Sequence, residues 1–155
     1  MEGRIVAVCR SDEKGTRKRD IGSGVLVEGF GLEGDAHGGG WHRQVSLLSL
    51  DGIEEMRRLG LDVGPGDFAE NLTVEGLDLS SLPVGTRLRV GEAVIEVTQI
   101  GKDCHVGCDI FRKVGRCIMP REGIFAKVVA GGRVNNGDPV VVVGENGLPG
   151  KVEPR

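Results

Sequence analysis

Three of the four cysteines in this chain lie within one short stretch, and their neighbours favour reactive thiol chemistry. Cys104 lies between Lys102 and His105, and Cys108 and Cys117 follow soon after. A thiolate is both a nucleophile and a soft-metal ligand, and nearby positive charge lowers the pKa of its thiol. The stretch therefore predicts redox, sulfur or metal chemistry, with Cys104 as the first candidate. The alternative is that these cysteines are small buried hydrophobic residues, as free cysteines often are.

The cysteine spacing leaves two further alternatives open. Cys104 and Cys108 are separated by three residues, which is tolerable for a pair of zinc ligands. The available further ligands are Cys117, His105, His37 and His42. The second cysteine pair of a typical zinc site is missing from the sequence, which weakens the zinc interpretation. A redox pair is the other alternative, because one helical turn would bring Cys108 close to Cys104, although the Cys-x-x-Cys redox motif is absent.

A glycine-rich stretch over residues 34–40, followed by Arg43, is the second region with chemical potential. Glycine lets the backbone approach a bound group closely, and arginine presents a forked donor set that suits phosphate. His37 lies inside this stretch, beside Asp35 and several glycines. We expect an anion site built from the loop amides and Arg43. The sequence lacks the Walker-type phosphate loop, the dinucleotide Gly-x-Gly-x-x-Gly fingerprint and the Gly-x-Ser-x-Gly elbow of serine hydrolases.

Composition narrows the class of protein. The 155 residues suit one domain, and 27 glycines with only 3% aromatic residues indicate many tight turns. A net charge of −3 argues against a nucleic-acid partner, because such proteins normally carry a basic excess. The N-terminal apolar run is too short for an export signal or a membrane span. We therefore expect a cytoplasmic protein with reduced cysteines and no membrane partner.

The elements that must position these residues are mostly short strands. Apolar or alternating runs that are typical of strands occur at residues 5–8, 44–50, 71–75, 88–90, 93–97, 124–129 and 140–143. The runs on either side of Gly91 and Glu92 predict a hairpin. A loop with Arg17, Lys18 and Arg19 precedes the glycine-rich stretch and is expected to be a solvated surface that adds positive charge at the rim of the site.

One helix is predicted over residues 51–59. Asp51 is the expected N-cap with Glu54 at the capping-box position, and Ile53, Met56 and Leu59 recur at helical spacing to form its buried face. A short second helix is predicted over residues 110–114. Together these patterns favour a mainly β fold, a barrel with a few short helices, as one domain over residues 1–144 with a frayed tail over 145–155.

The combination of motifs resembles the MOSC domain, a family named for the C-terminal domain of molybdenum cofactor sulfurase. The matching segments, in the family's order, are Gly31-Leu-Glu-Gly-Asp-Ala-His-Gly-Gly39, His42-Arg-Gln-Val-Ser-Leu-Leu48, Gly66-Asp-Phe-Ala-Glu-Asn-Leu-Thr73, Val84-Gly-Thr-Arg-Leu-Arg-Val-Gly91, Val94-Ile-Glu-Val-Thr-Gln99 running into Cys104, Gly123-Ile-Phe-Ala-Lys-Val128 and Asn136-Gly-Asp138. This resemblance covers nearly the whole chain and implies a MOSC-type β-barrel, in agreement with the strand pattern.

The resemblance also implies a link to the molybdenum cofactor, a molybdopterin-type group. Cys104 would then carry sulfur as a persulfide or ligate molybdenum. Residues expected to hold the cofactor and its phosphate are Gly34, Asp35, His37, Gly38, Gly39, Arg43, Asn71, Lys102 and His105. The chain is similar to small bacterial members without a pyridoxal-phosphate desulfurase domain. Sulfur is thus expected from a donor such as a cysteine desulfurase, with a molybdoenzyme or a cofactor-biosynthesis protein as the second partner.

Two positions depart from the family's usual pattern. The family commonly places Arg and Pro shortly before the cysteine, whereas this chain has Gly101, Lys102 and Asp103. The central motif commonly contains Phe-Gly-Glu-Asn, and here Ala69 replaces the glycine, a change expected to be mild if the backbone angle there is unexceptional. The competing interpretation from another class is a non-catalytic binding or partner-docking module with structural or zinc-binding cysteines.

Overall fold

The computed structural model describes residues 2–13, 17–101 and 123–144. Its strands are β1 (Glu2–Arg10), β2 (Arg19–Asp20), β3 (Ser23–Val27), β4 (Gly31–Leu32), β5 (Val45–Ser49), β6 (Leu72–Glu75), β7 (Arg87–Val90), β8 (Ala93–Ile100), β9 (Ile124–Ala130), β10 (Gly132–Asn135) and β11 (Pro139–Gly144). One α-helix, α1 (Leu50–Arg58), and one 3₁₀ turn, Leu79–Ser81, complete the described elements. Several predicted features lie outside the described residues: Lys102, Cys104, His105, Cys108, Cys117, the predicted helix 110–114 and the tail 145–155.

Seven strands close into a barrel. Their hydrogen-bonded order is β11-β7-β8-β9-β5-β6-β1, and β1 also pairs with β11, which joins the two ends. All of these pairs are antiparallel except β5 with β6, whose register sets Leu47 opposite Leu72. β2 extends the sheet beyond β1, while β10, β3 and β4 form a separate small sheet. The predicted mainly β barrel is therefore confirmed, as is the hairpin that joins β7 to β8.

The barrel interior is filled by the alternate apolar residues of its strands. Leu47, Leu72, Leu88 and Ile95 are fully buried and belong to one contiguous core. Each such side chain contributes about 1.5–3 kcal/mol when it leaves water, so the interior is the main source of stability. The candidate residues Asp35, His37 and Arg43 lie in the loop between β4 and β5.

The helix differs from the prediction at both ends. Its N-cap is Ser49, whose Oγ accepts the backbone N–H of Asp51 at 3.3 Å, so the prediction of Asp51 as N-cap was wrong. Ile53 and Met56 are buried as predicted, but Leu59 is 43% exposed. Each residue advances about 100° around a helix, so a residue six positions after Ile53 lies about 120° away from it on the circumference.

The small sheet is the main feature that the strand patterns did not predict. β3, β4 and β10 are short and contain glycine, which weakens any apolar alternation. At Gly132, a Cβ would lie 2.6 Å from the carbonyl oxygen of Glu92, so only glycine allows this close approach of β10 to the turn between β7 and β8. Across residues 2–13, 17–101 and 123–144, no helix has the length and apolar character needed to cross a membrane.

Candidate functional site

A buried ion pair lies beneath the glycine-rich loop. The Lys18 Nζ is 2.9 Å from Asp35 Oδ1, and both side chains are completely inaccessible to solvent. Asp35 also accepts the backbone N–H of Ser11 at 3.1 Å and that of His37 at 3.2 Å. Although burial alone raises the pKa of this carboxyl, the hydrogen bonds from Lys18 and Ser11 outweigh it and hold the pKa of Asp35 below its usual value. Asp35 is thus a stable carboxylate inside the protein.

The same lysine also determines how His37 is protonated. Lys18 Nζ lies 3.1 Å from His37 Nδ1, and it also donates to Ser11 Oγ at 3.3 Å. An ammonium group has three donors and no acceptor, so Nδ1 of His37 must accept and the ring proton must sit on Nε2. The contact with Lys18 therefore favours the tautomer of His37 that carries its proton on Nε2.

Hydrogen bonds within the loop itself shape its backbone. The N–H groups of Ala36, Gly38 and Gly39 donate to the carbonyls of Ser11, Asp35 and Phe30, at 3.0, 3.1 and 2.8 Å respectively. The N–H groups of Asp35, His37 and Trp41 are also used within the protein. These six amides are thus engaged within the protein, and the predicted anion site of loop amides and Arg43 stays a prediction.

Glycine at two predicted site positions is explained by local space. A Cβ at Gly38 would lie 2.3 Å from the Phe30 ring, so the ring occupies the place that any side chain would need. Gly34 has φ +83°, a left-handed conformation that other residues rarely adopt. Both glycines therefore shape the loop, and their predicted role in holding a cofactor stays a prediction, as does that of Gly39.

The only tryptophan of the chain stands at the surface of this loop. Trp41 is 42% exposed, and its Nε1–H donates to the His37 carbonyl at 2.9 Å. Its ring is stacked on the His37 imidazole, with centroids 6.5 Å apart and an interplanar angle of 7°. A large exposed aromatic face held in one orientation offers a stacking surface for a planar ligand.

Arg43 lies between two aromatic rings. Its Cζ is 5.9 Å from the ring centroid of Trp41 and 5.0 Å from that of Phe125. The Arg43 Nε–H donates to Gln99 Oε1 at 3.0 Å, which fixes the plane of the guanidinium. The arginine is thus oriented in advance by its neighbours, as a forked donor must be to recognise a particular oxyanion.

Gln99 connects this cluster to the end of β8. Its Oε1 also accepts from His42 Nε2, at 2.7 Å, and its Nε2 donates to the Gly101 carbonyl at 2.7 Å. Thr98 adds a hydroxyl hydrogen bond to the His42 carbonyl. Gly101 is the last described residue before the segment that carries Cys104. Arg43 and His42 are therefore tied to the point where the chain enters the cysteine segment.

Asn71, predicted to bind the cofactor, lies in the interior between β1 and β5. Its Oδ1 accepts the Ser46 backbone N–H at 3.0 Å, and its Nδ2 donates to the Cys9 carbonyl at 3.1 Å. The side chain is 1% exposed, so these contacts make it a structural link between strands. Its predicted contact with a ligand stays a prediction. Cys9 is buried as expected, and burial raises the pKa of its thiol.

The described residues contain no group of three or more His, Cys, Asp or Glu side chains placed to hold a metal ion. The Nδ1 atom of His37 already accepts from Lys18, which leaves that nitrogen unsuited to metal coordination. The molybdenum and zinc hypotheses both rest on Cys104 and its neighbours, which lie outside the described residues.

The structure brings Asp35 into contact with His37 and links His37 to Arg43 through the Trp41 ring, while three further residues of this cluster were underestimated from the sequence. Lys18 was expected on a solvated rim, whereas it is fully buried. Trp41 and Gln99 were not predicted as site residues. Trp41 could have been identified from the sequence, because it is the only tryptophan in the chain. Arg17 does lie at the surface, with a long 3.8 Å contact to Asp67, and Arg19 is exposed.

Comparison with known proteins agrees with this architecture. The chain is similar to the YuaD protein from Bacillus subtilis, with 20% identity and a TM-score of 0.74 over 90% of this chain and 94% of that one. It is also similar to YiiM from Escherichia coli, with 24% identity and a TM-score of 0.66 over 93% of this chain and 70% of that one. YiiM from Geobacillus stearothermophilus is 18% identical, with a TM-score of 0.67 over 92% and 75% of the two chains. These likenesses show the fold.

A search of curated proteins gave no match. Residues 34–141, which include the glycine-rich loop, the Arg43 cluster and most of the barrel, match the MOSC domain. That span is more than half of the chain, and the chain therefore belongs to the MOSC domain family.

Proposed function

We propose that this MOSC domain binds a molybdopterin-type cofactor against Trp41 and Arg43 and uses Cys104 as a persulfide carrier or molybdenum ligand. The observation that carries the proposal is the hydrogen-bonded connection from Arg43 and His42 through Gln99 to Gly101. It ties an oriented guanidinium, through Gln99, to Gly101, which precedes Cys104 by three residues in the sequence. MOSC domains are in general linked to proteins like molybdenum cofactor sulfurase.

The side chains at the site suit a planar, anionic cofactor. The exposed Trp41 ring can stack on a pterin, and the Arg43 guanidinium can pair with a phosphate. The buried Lys18–Asp35 pair holds His37 in place beside the Trp41 ring. When bound, the cofactor supplies a molybdenum centre with affinity for sulfur ligands.

The role proposed for Cys104 is a transfer of sulfane sulfur. The Cys104 thiolate attacks the outer sulfur of a donor persulfide, R–S–SH, and a new S–S bond forms to Cys104. The donor's own S–S bond breaks, and R–S⁻ leaves as a thiolate, so the proton stays on the transferred sulfur. No external oxidant or reductant is required. Lys102 and His105 would favour the attacking thiolate through their charge.

Two partners follow from this chemistry. The sulfur donor must itself carry a protein persulfide, as a cysteine desulfurase does. The acceptor must hold or assemble the molybdenum cofactor, as a molybdoenzyme or a cofactor-biosynthesis protein does. The cytoplasm, where thiols stay reduced, is the compartment that this chemistry requires.

The fluorescence of Trp41 supplies a direct test, because the chain has no other tryptophan. We expect molybdopterin to quench it, and Arg43→Ala to weaken binding by about 1.5–3 kcal/mol, the value of a hydrogen bond to a charged group. Arg89→Ala, which removes an exposed arginine on β7, is the matched control and should leave affinity unchanged. Cys104→Ser should still bind the pterin but accept no sulfur from a persulfide donor.

Two results would overturn this proposal. One is equal affinity of wild type and Arg43→Ala for molybdopterin at fixed ionic strength. The other is a stoichiometric zinc ion in reductant-treated protein, which would favour the zinc-binding docking module instead.

A further inference from the structure

A pair of arginines faces each other at the end of β1, outside the cluster around Arg43. The register of β1 and β2 sets Arg10 directly opposite Arg19. Directly opposed residues of an antiparallel pair have Cβ atoms about 4.5–5.5 Å apart, and like charges in this position destabilise the sheet. Among the described residues, neither arginine forms an ion pair.

Arg10 is unusual in a second way. Its Nε is buried, yet it has no hydrogen-bond partner, a state that only one other described side-chain atom shares. A buried donor without a partner costs about 1–3 kcal/mol, and more when the group is charged. Native proteins rarely leave such a group unexplained.

The adjacent loop leaves room for this guanidinium. The side chain of Arg10 passes over Gly34, where a Cβ would lie 3.0 Å from its Nη1 and 3.3 Å from its Cδ. Any other residue at position 34 would push the guanidinium away. The next residue, Ser11, donates its backbone N–H to Asp35, which holds the end of β1 against the loop.

We propose that Arg10 and Arg19 form an oxyanion site for a phosphate group, distinct from the Arg43 cluster. Two guanidinium groups on neighbouring strands can each offer a forked pair of donors to one tetrahedral anion. Such an anion removes the repulsion between the arginines and supplies an acceptor to Arg10. This inference stands independently of the proposed molybdopterin binding, because it uses none of the residues around Gln99.

Titration with inorganic phosphate at constant ionic strength tests the site. Binding is followed through the backbone amide signals of Ser11 and Gly34 in ¹H–¹⁵N spectra. We expect Arg19→Gln to weaken phosphate binding about tenfold or more, the effect of losing a hydrogen bond to a charged group. Arg19 is exposed, so this variant should fold, and Arg10→Gln should give the same loss. Arg89→Gln is the control for a simple change of net charge.

The outcomes separate this inference from the proposed function. Arg43→Ala should leave these amide shifts unchanged, because Arg43 is held elsewhere by Gln99 and two aromatic rings. The inference is wrong if Arg19→Gln binds phosphate as wild type does. It is equally wrong if Arg89→Gln weakens binding as much as Arg19→Gln, since that would show a general effect of charge.

Discussion

Two buried carboxyl groups in this protein, those of Asp35 and Glu70, have pKa values that are shifted in opposite directions. Asp35, under the glycine-rich loop, is paired with the ammonium of Lys18 and has a lowered pKa. Glu70, beside β6, accepts the backbone N–H groups of Gly66 and Phe68 and the Thr73 hydroxyl, at 2.9, 3.3 and 2.6 Å. Burial dominates at Glu70 and raises the pKa of its carboxyl in spite of these hydrogen bonds.

The difference is the presence of a cation. Neutral donors satisfy the hydrogen-bonding capacity of Glu70 but only partly offset the loss of hydration, so the pKa of its carboxyl stays above the usual value. Lys18 adds an opposite charge at contact distance, which keeps Asp35 ionised and also fixes the tautomer of His37. Glu70 therefore closes the loop before β6 through its hydrogen bonds, whereas Asp35 keeps the Lys18 ammonium in place beneath exposed side chains. The predictions below test that contrast.

Removal of the cation should have the largest effect. Lys18→Met leaves Asp35 as an unpaired buried carboxylate, and loss of one partner of a buried ion pair costs about 3–5 kcal/mol. The free energy of unfolding from denaturant titration measures this loss. Lys127→Met, which removes a half-exposed lysine with a 3.8 Å contact to Glu96, should cost no more than about 1 kcal/mol.

The same variant tests the tautomer of His37. In wild type, ¹⁵N spectra of the imidazole should show the proton on Nε2, and in Lys18→Met this preference should weaken because Nδ1 no longer accepts from an ammonium. The double variant Lys18→Met, Asp35→Asn should recover part of the lost stability, since no buried charge is then left alone. An Nδ1–H signal in wild type would contradict the arrangement.

The two carboxylates should also respond to pH in opposite directions. The pKa of Asp35 is lowered by folding, so its stabilising contribution is present above the unfolded value of 3.8 and is lost as pH falls through the folded pKa. The pKa of Glu70 is raised above 4.5, so the folded state retains a proton that the unfolded state releases. Its contribution therefore becomes less favourable as pH rises between the two values.

Comparison of unfolding free energies across this range checks the signs. Asp35→Asn should flatten the loss of stability in acid, and Glu70→Gln should flatten the loss that occurs as pH rises above 4.5. The contrast between the two sites fails if both variants change the pH profile with the same sign.

Sequence patterns predicted the barrel well because its strands alternate apolar and polar residues around one core. Ile95 and Val97 face inward from β8, and this period of two is visible in the chain. The patterns could not show the burial of Lys18, because that depends on where the Asp35 loop folds back in three dimensions. Equally, the parallel pairing of β5 with β6 depends on contacts that are distant in sequence and leave no local signal.

The smallest predicted effect concerns Ala69, an alanine in a backbone conformation that favours glycine. The substitution of glycine by alanine was expected to be mild at an ordinary backbone angle. Instead Ala69 has φ 65°, and it is the only residue other than glycine with a positive φ in the described parts of the chain. The angle is maintained by its neighbours, since the Ala69 N–H donates to Gly66 and its carbonyl accepts from Ser46.

Ala69→Gly should therefore stabilise the protein slightly. Relief of the left-handed conformation gains about 1–2 kcal/mol, and the greater freedom of glycine in the unfolded chain costs about 0.4–1 kcal/mol. The net gain, about 0–1.6 kcal/mol, can be measured by denaturant titration. Ala36→Gly is the matched control, because Ala36 lacks a positive φ and should lose about 0.4–1 kcal/mol through the unfolded state alone. Equal destabilisation by both changes would show that the angle at Ala69 stores no strain. The loop that carries Glu70 would then adopt its conformation without strain at Ala69.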